Sequence, residues 1–312
     1  MMRILLNYGF PLILAALVVL FGLLLPGFQG LAGIMGILHA MVPIVVVASG
    51  MALVVMLGKP DISVGEIGFA GMSMAAVLIA WAGWPPLAAS AVALGVGAVL
   101  GALNGFVVVV LRVNPLIATL GAMIGFRGLA LQITDSRVMV LPDAMRNFGN
   151  WTLLPVFFDV VLAGAILLAA HLVHRETPFG RTITAIGNDE AAARRIGLPV
   201  GRTAFACYVI SGMLGAHGGV LGAAKVGAVT TFLGKGMEFT AVAVVVVGGI
   251  TLFGRGSVFW GVLLGALTFE IIRAGLNHVG ANPCFYQLIG GGIIFVAIYA
   301  AALKARETRQ SD

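Results

Sequence analysis

Long runs of apolar residues, separated by short polar stretches, follow one another along the whole chain. A hydrocarbon core of roughly 30 Å needs about 20 apolar residues per helical crossing. The pattern therefore predicts about ten transmembrane helices, at residues 8–25, 35–57, 64–82, 87–111, 115–133, 153–172, 203–224, 239–253, 257–276 and 284–303. The segment 239–253 is short for a full crossing, so we expect it to be tilted, broken or re-entrant. The chain is predicted to form a single all-α membrane domain over residues 1–312.

Composition agrees with this pattern. Of the 312 residues, 60% are hydrophobic and 10% are charged, and the mean hydropathy is +1.09. A soluble domain carries about 25% charged residues, so a water-soluble fold is excluded. The net charge of +6 is spread along the chain rather than gathered in a dense basic stretch, so no nucleic-acid partner is predicted. The two cysteines and five histidines show no metal-ligand spacing, and we expect neither a metal nor a cofactor.

The distribution of lysine and arginine between the loops predicts the orientation. If both termini lie inside, twelve of these residues fall in cytoplasmic loops, and four fall outside: Arg137, Arg146, Lys225 and Lys235. Cytoplasmic loops of membrane proteins carry an excess of lysine and arginine. We therefore expect an N-in, C-in topology.

Polar residues interrupt the apolar pattern between the second and third predicted spans. Gly58 and Pro60 break the helix there, and Asp61, Ser63 and Glu66 follow. Carboxylates at membrane depth are tolerated where protein or a water-filled cavity surrounds them. Asp61 is therefore predicted either to cap the third span or to line a solute path, and the two roles are compatible.

Three other charges fall within predicted spans. An unpaired charge in the membrane is costly, so Arg127 in the fifth span must meet carbonyls, a carboxylate or water. Glu270 and Arg273 are three residues apart on one helix and are expected to form a structural pair.

The longest predicted cytoplasmic loop covers residues 174–202 and holds eight charged residues. Within it, residues 188–197 predict a short helix with Asn188 as N-cap and Gly197 as its C-terminal stop. Acidic residues lie in the first turn and arginines in the last, which suits the helix dipole. Such a helix is suited to docking on another protein, although a solvated loop with one helical turn is the alternative.

Small residues recur every fourth position on three predicted spans. This spacing lets helix backbones approach closely in lipid. It predicts tight packing or, alternatively, helices that slide against each other. The rows are Gly97, Gly101 and Gly105; Ser211, Gly215 and Gly219; and Ser257, Gly261 and Gly265.

The sequence resembles the permease subunits of ribose, xylose and galactose-type ABC importers. The resemblance is carried in order by residues 50–55 with 61–65, by Asn104-Gly105, by 112–121, by 127–130, by 177–197, and by Val247-Gly248-Gly249 with Gly275-Leu276-Asn277. It covers roughly residues 35–303. Lys59-Pro60 replaces the usual glycine-isoleucine, Glu66 replaces a small or neutral residue, and Gly197 comes one residue later than in the older importer coupling pattern.

The resemblance implies a type II-like importer bundle in the bacterial inner membrane that imports a monosaccharide or similar small polar solute. It implies three protein partners besides membrane lipid: a cytoplasmic ABC ATPase, a periplasmic or lipid-anchored binding protein, and a second permease subunit, identical or different. The chain has no G-x-x-x-x-G-K-[ST] loop, so ATP hydrolysis is assigned to the ATPase and the chain itself is not an enzyme.

The site residues expected from these arguments form two groups. The expected ATPase-coupling residues are Gly187, Asn188, Asp189, Glu190, Ala191, Ala192, Arg194, Arg195 and Gly197. The expected translocation-path residues are Asp61, Ser63, Glu66, Asn104, Thr119 and Arg127.

Two alternatives remain open at this stage. An ion-coupled secondary transporter would use buried acids such as Asp61 and Glu66. A permease for branched-chain amino acids or nucleosides would keep the importer architecture and change only the solute.

Overall fold

The computed structural model describes residues 30–153, 155–250 and 256–280, together with isolated positions near both ends. The helices in this part are α1 (Leu31–Met56), α2 (Val64–Ala80), α3 (Pro86–Gly105), α4 (Pro115–Ile133), α5 (Asp143–Gly149), α6 (Phe158–Glu176), α7 (Pro178–Asn188), α8 (Glu190–Arg195), α9 (Val200–Val226), α10 (Met237–Val247) and α11 (Val258–His278). A π-helical turn, Phe106–Val110, extends α3. Four two-residue strands add to this helical fold: β1 (Met139–Val140), β2 (Thr152–Leu153), β3 (Val156–Phe157) and β4 (Ala228–Val229). Strand β1 pairs antiparallel with β4, and β2 with β3.

Six of the described helices are long and apolar enough to cross a membrane: α1, α3 with its π-helical turn, α4, α6, α9 and α11. Helix α10 has 11 residues. At 1.5 Å per residue it spans about 16 Å, which is shorter than the ~30 Å hydrocarbon core. The predicted spans 8–25 and 284–303 lie outside the described residues apart from isolated positions, so the total of ten crossings stays a prediction.

Helix α9 lies at the centre of the described bundle and packs against α1, α2 and α3. A Cβ atom at Gly97 of α3 would lie 2.4 Å from the carbonyl oxygen of Gly212 of α9, and one at Gly101 would lie 2.3 Å from that of Tyr208. Only glycine allows backbones to approach this closely. The predicted role of the small-residue rows in close packing is confirmed at this contact.

Helix α1 is buried over most of its second half, from Met41 to Met56. A helix that is hydrophobic all round is typical of a buried core element. It ends at a turn in which Gly58 has a φ of 71°, in the left-handed region that favours glycine. The chain then passes through a connection, residues 57–63, whose last three residues are buried, and enters α2.

The helix borders around the predicted loop 174–202 differ from the sequence prediction. Helix α6 continues through the polar residues His174, Arg175 and Glu176, and α9 begins at Val200. The apolar pattern ends before the helix does, and the break comes at Thr177, whose extended conformation is the one favoured before a proline. The connecting segment is therefore 177–199, and it is mostly helical.

Helices α4 and α6 form the least buried part of the described bundle. Thr119 and Ala130 are the buried residues of α4, while Ile117 and Ile124 are 69% and 72% exposed. In a protein with helices of this length and hydropathy, such faces are suited to lipid or to another membrane-embedded chain.

Candidate coupling helix and buried polar clusters

Two short helices, α7 and α8, occupy the segment predicted to couple to a partner. Helix α7 begins at Pro178, and the Thr177 side chain accepts a hydrogen bond from the Gly180 amide at 3.3 Å. Its residues Ile183 and Ile186 lie one turn apart and are buried, which fixes the helix against the bundle. The helix continues to Asn188.

The N-cap of α8 is Asp189, and the prediction that Asn188 would cap this helix is wrong by one residue. The Asp189 carboxylate accepts a hydrogen bond from the Ala192 amide at 2.9 Å. Asn188 is still part of α7, because the helical hydrogen bonding continues to the Asp189 amide, which donates to the Ala185 carbonyl. The predicted stop is confirmed, since Gly197 has a φ of 80° and the Leu198 amide bonds back to the Ala193 carbonyl.

Helix α8 is anchored on one side and exposed on the other. Ala193 is buried, whereas Ala191, Arg194 and Arg195 are exposed, and the Ile196 side chain that follows the helix is 74% exposed. This arrangement leaves a mixed apolar and basic face at one end of the bundle.

An ion pair ties α8 to the connection between α1 and α2. Lys59 Nζ lies 2.9 Å from Glu190 Oε2, and Arg194 Nη2 lies 2.7 Å from Glu190 Oε1. Partial burial acts to raise the pKa of Glu190, but the hydrogen bonds and charges of Lys59 and Arg194 outweigh it and hold the pKa below its ordinary value. The Lys59 carbonyl also accepts a hydrogen bond from the Tyr208 hydroxyl of α9 at 3.0 Å.

Four of the predicted path residues come together in what we call the Asp61 cluster: Asp61, Ser63, Asn104 and Thr119. Asp61 Oδ1 accepts hydrogen bonds from the Ser63 amide at 3.0 Å, the Ser63 hydroxyl at 2.7 Å and Asn104 Nδ2 at 3.2 Å. Asn104 Nδ2 also donates to Ser63 Oγ, and Thr119 Oγ1 accepts from the Ile62 amide. None of the four is more than 2% exposed.

The prediction that Asp61 caps α2 is wrong. The N-cap of α2 is Ser63, and its side chain makes no capping hydrogen bond to the helix amides. Asp61 instead binds the amide of Ser63 itself, so it shapes the turn that leads into α2. The lining role stays a prediction, because these side chains are enclosed within this single chain.

The remaining two path residues, Glu66 and Arg127, form a second group with Glu238 and the Thr231 carbonyl, which we call the Arg127 cluster. Arg127 Nη1 lies 2.8 Å from Glu66 Oε1, and Nη2 donates to the Thr231 carbonyl oxygen at 2.6 Å. The guanidinium also lies over the Phe69 ring, 5.4 Å from its centroid. The predicted need of Arg127 for a carboxylate or carbonyl partner is confirmed.

Glu238 was not predicted from the sequence. It is 3% exposed in the first turn of α10, and it interacts electrostatically with Glu66 and Arg127. A Cβ atom at Gly65 would lie 2.1 Å from Glu238 Oε2 and 3.0 Å from the Glu238 backbone nitrogen, so a side chain at position 65 would force this carboxylate to move.

Comparison with known proteins gives three results. The family described as "Branched-chain amino acid transport system / permease component" matches residues 33–298. The galactose/methyl galactoside import permease MglC of Salmonella typhimurium is 31% identical over 301 residues, covering 89% of each chain. The ribose import permease RbsC of Escherichia coli K12 is 31% identical over 290 residues, covering 91% of this chain and 90% of the relative.

The chain belongs to this permease family. A probable ABC transporter permease, YphD of E. coli K12, is also 33% identical over 308 residues, with 97% of this chain and 91% of the relative covered. No solved structure matches significantly. Together with the six helices able to cross a membrane, the family match makes the protein a multi-pass membrane permease component.

A cavity of about 310 Å³ in this permease lies between α1, α2, α9, α10 and α11. Its polar lining includes Lys225, Lys235, Thr240, Glu270 and Arg273. Glu270 and Arg273 form the predicted pair at 3.5 Å, and Lys225 donates a hydrogen bond to the His39 carbonyl. None of the six predicted path residues is among the described residues that line this cavity.

Proposed function

We propose that the protein is the membrane-spanning subunit of an ATP-driven importer, which moves a monosaccharide or similar small polar solute into the cytoplasm by alternating access. In this proposal the chain lies in the bacterial inner membrane as a type II-like bundle of about ten helices, with both termini inside. The family match and the sugar importers among the relatives support this assignment.

The observation that carries the proposal is the attachment of α8. This helix offers an exposed face at one end of the bundle, while Glu190 is ion-paired at 2.9 Å to Lys59, directly before the buried entry into α2. A partner that displaces α8 would therefore move the start of a core helix. Such a direct mechanical link is what an ATPase-coupled permease requires.

The proposed partners are those of the importer class to which the sugar permeases among the relatives belong. A cytoplasmic ABC ATPase docks on α8 and hydrolyses ATP, and an external binding protein delivers the solute to the opposite face. A second permease subunit, identical or different, completes the membrane part. The exposed faces of α4 and α6 are available to it or to lipid.

The solute is proposed to be a sugar because two of the relatives are named as galactose and ribose permeases. The family is described as a branched-chain amino acid transport component, so these amino acids are the second candidate solutes. The family match disfavours an ion-coupled secondary transporter, which would need no ATPase.

The test is reconstitution of the permease in proteoliposomes with its ATPase and binding protein. ATP hydrolysis is measured with a panel of sugars and with branched-chain amino acids. We expect one sugar-loaded binding protein to stimulate hydrolysis. Glu190→Arg should lower the stimulated rate by about tenfold, corresponding to ~1.4 kcal/mol of coupling.

Glu176→Arg is the matched control, because Glu176 is an exposed glutamate at the end of α6 whose ion pair, among the described residues, is with Arg175. Its stimulated rate should stay near that of the unmodified protein. Stimulation by an amino acid would correct the solute and keep the importer. Uptake driven by a proton or sodium gradient without the ATPase would overturn the proposed function.

A further inference from the structure

A second cavity, of about 460 Å³, lies on the same chain at the junction of α6, α7 and α11. Its described lining consists of His171, His174, Arg175, Arg181, Thr184, Gly256 and Ser257. Four of these side chains can carry positive charge, and no carboxylate is among them. We call this cavity the basic pocket. The transport steps proposed above do not use it.

The arginines of the basic pocket are available for an anionic ligand. Arg181 is exposed and forms no ion pair with any carboxylate in the described part of the chain. Arg175 contacts Glu176 through Nε at 3.4 Å and is 71% exposed, so this contact is loose. Guanidinium groups bind phosphate oxygens through paired hydrogen bonds, which makes phosphate a fitting ligand.

The start of α11 adds a second source of positive potential. Gly256 and Ser257 line the pocket, and Ser257 is the N-cap of this 21-residue helix. The Ser257 hydroxyl accepts the Trp260 amide at 3.4 Å, which leaves other first-turn amides without an intrahelical partner. The N-terminal end of a helix attracts anions through these amides and through the helix dipole.

The histidine side chains leave donor and acceptor positions open. Thr184 Oγ1 donates to the Gly180 carbonyl at 3.3 Å, so the contact at 3.2 Å to His174 Nε2 is best satisfied with that nitrogen as donor. The Nδ1 atom of His171 is buried and has no hydrogen-bond partner among the described residues. A buried polar atom of this kind normally has a partner, which a bound ligand would supply.

Exposed apolar side chains lie within one helical turn in sequence of residues that line the basic pocket. Leu168 and Leu172 on α6 are 47% and 48% exposed, and Trp260 in the first turn of α11 is 59% exposed. Tryptophan at the end of a crossing is typical of the boundary between lipid and water. On the proposed orientation this boundary faces the cytoplasm, where basic pockets between membrane helices bind anionic lipid headgroups.

We propose that the basic pocket binds the phosphate group of an anionic ligand. The exposed apolar side chains on the same helix segments favour a phospholipid headgroup over a free phosphate as the source, with acyl chains along Leu168, Leu172 and Trp260. Because the ligand would join α6, α7 and α11, and α7 leads directly into α8, occupancy of the pocket stabilises the segment that carries the coupling helix. The inference concerns a ligand other than the transported solute.

The experiment uses the full-length permease in nanodiscs and has two arms. In the first, phosphatidylglycerol replaces part of the phosphatidylcholine, and lipids retained on the protein are counted by native mass spectrometry. In the second, discs of phosphatidylcholine alone receive inorganic phosphate, and the thermal unfolding midpoint is followed. Each arm compares the unmodified protein with Arg181→Gln and with Arg202→Gln, the latter an exposed arginine on α9 outside the described pocket lining.

We expect phosphatidylglycerol to be retained and Arg181→Gln to weaken its binding roughly tenfold, since one charge-assisted contact is lost. Arg202→Gln should bind as the unmodified protein does. Stabilisation by inorganic phosphate that Arg181→Gln abolishes would instead assign the site to a soluble phosphate. No response in either arm, or equal losses in the two variants, would overturn the proposal. Thr184→Val serves as a second pocket variant if Arg181→Gln does not fold.

Discussion

The two buried polar clusters beside the start of α2 satisfy their buried charges in different ways. In the Asp61 cluster a single carboxylate is surrounded by neutral donors from Ser63 and Asn104, and all members are almost completely enclosed. In the Arg127 cluster a guanidinium lies between a carboxylate and a carbonyl, and its side chain is 25% exposed. The first cluster is closed and joins the connection before α2 to α3 and α4. The second is partly open and joins α4 to α2 and to the Thr231 carbonyl.

This difference indicates which contacts within the permease stay closed and which can open. Enclosed hydrogen bonds to a buried carboxylate have no water to replace them, so opening the Asp61 cluster leaves polar groups unsatisfied. Opening a partly exposed ion pair costs less free energy, because water can solvate the released charges. The Asp61 cluster is therefore suited to fixing α2 against α3, and the Arg127 cluster to a contact that changes during transport.

The largest effect should follow from removing the cation of the Arg127 cluster. Arg127→Leu leaves Glu66 and Glu238 buried without their counter-charge, which should destabilise the fold by about 3 kcal/mol. Thermal unfolding of the detergent-purified protein measures this loss. Arg137→Leu, at an exposed arginine beyond α4, should change the midpoint little.

The charged nature of this cluster can be checked by removing the acid as well. Replacing both Arg127 and Glu66 by leucine should recover part of the lost stability, because an uncompensated charge is removed. If the double variant is no more stable than Arg127→Leu, the guanidinium acts through packing on Phe69 rather than through charge.

A smaller loss is expected at the other cluster. Asp61→Ala removes the acceptor of three hydrogen bonds and should cost about 2 kcal/mol. Asp61→Asn keeps one acceptor oxygen and should cost clearly less. Thermal unfolding of the two variants tests whether the hydrogen bonds to Asp61, rather than its negative charge, stabilise this cluster. Equal losses in both variants would show that the negative charge is essential.

The smallest effect is expected at the partly exposed pair of Lys59 and Glu190, where both partners retain access to water. A double-mutant cycle with Lys59→Gln and Glu190→Gln should give a coupling energy of about 0.5–1 kcal/mol at neutral pH. Because the pKa of Glu190 in the folded protein is lowered, this stabilisation is present above the ordinary pKa of 4.5 and is lost as the pH falls through the lowered value. A coupling energy that grows on acidification would contradict the assignment.

Much of the helical framework could be predicted from the sequence, because apolar runs of sufficient length have few alternatives in a membrane. The spans at 64–82, 87–111 and 115–133 agree with α2, α3 with its π-helical turn, and α4 within a few residues. The end of α6 could not be read from hydropathy, since the helix passes beyond its apolar part into polar residues and stops only before Pro178.

The candidate sites were predictable only in part. The short helix α8 carries its own start and stop signals, so its position followed from local residues. The pairing of Lys59 with Glu190 and the approach of Glu238 to Gly65 depend on contacts between residues more than a hundred positions apart. A single sequence contains no local signal for such contacts, which come from the packing of whole helices.

The glycine contact between α3 and α9 limits the movements available to these two helices. A slip of one residue would bring Val96 and Leu100, or Ala98 and Ala102, to positions where a Cβ atom lies 2.3–2.4 Å from a carbonyl oxygen of α9. A slip of four residues would instead bring Gly101 to the place of Gly97, and Gly105 to that of Gly101. A change of register that keeps glycine at both of these close approaches is therefore a step of four residues, about 6 Å along the helix axis.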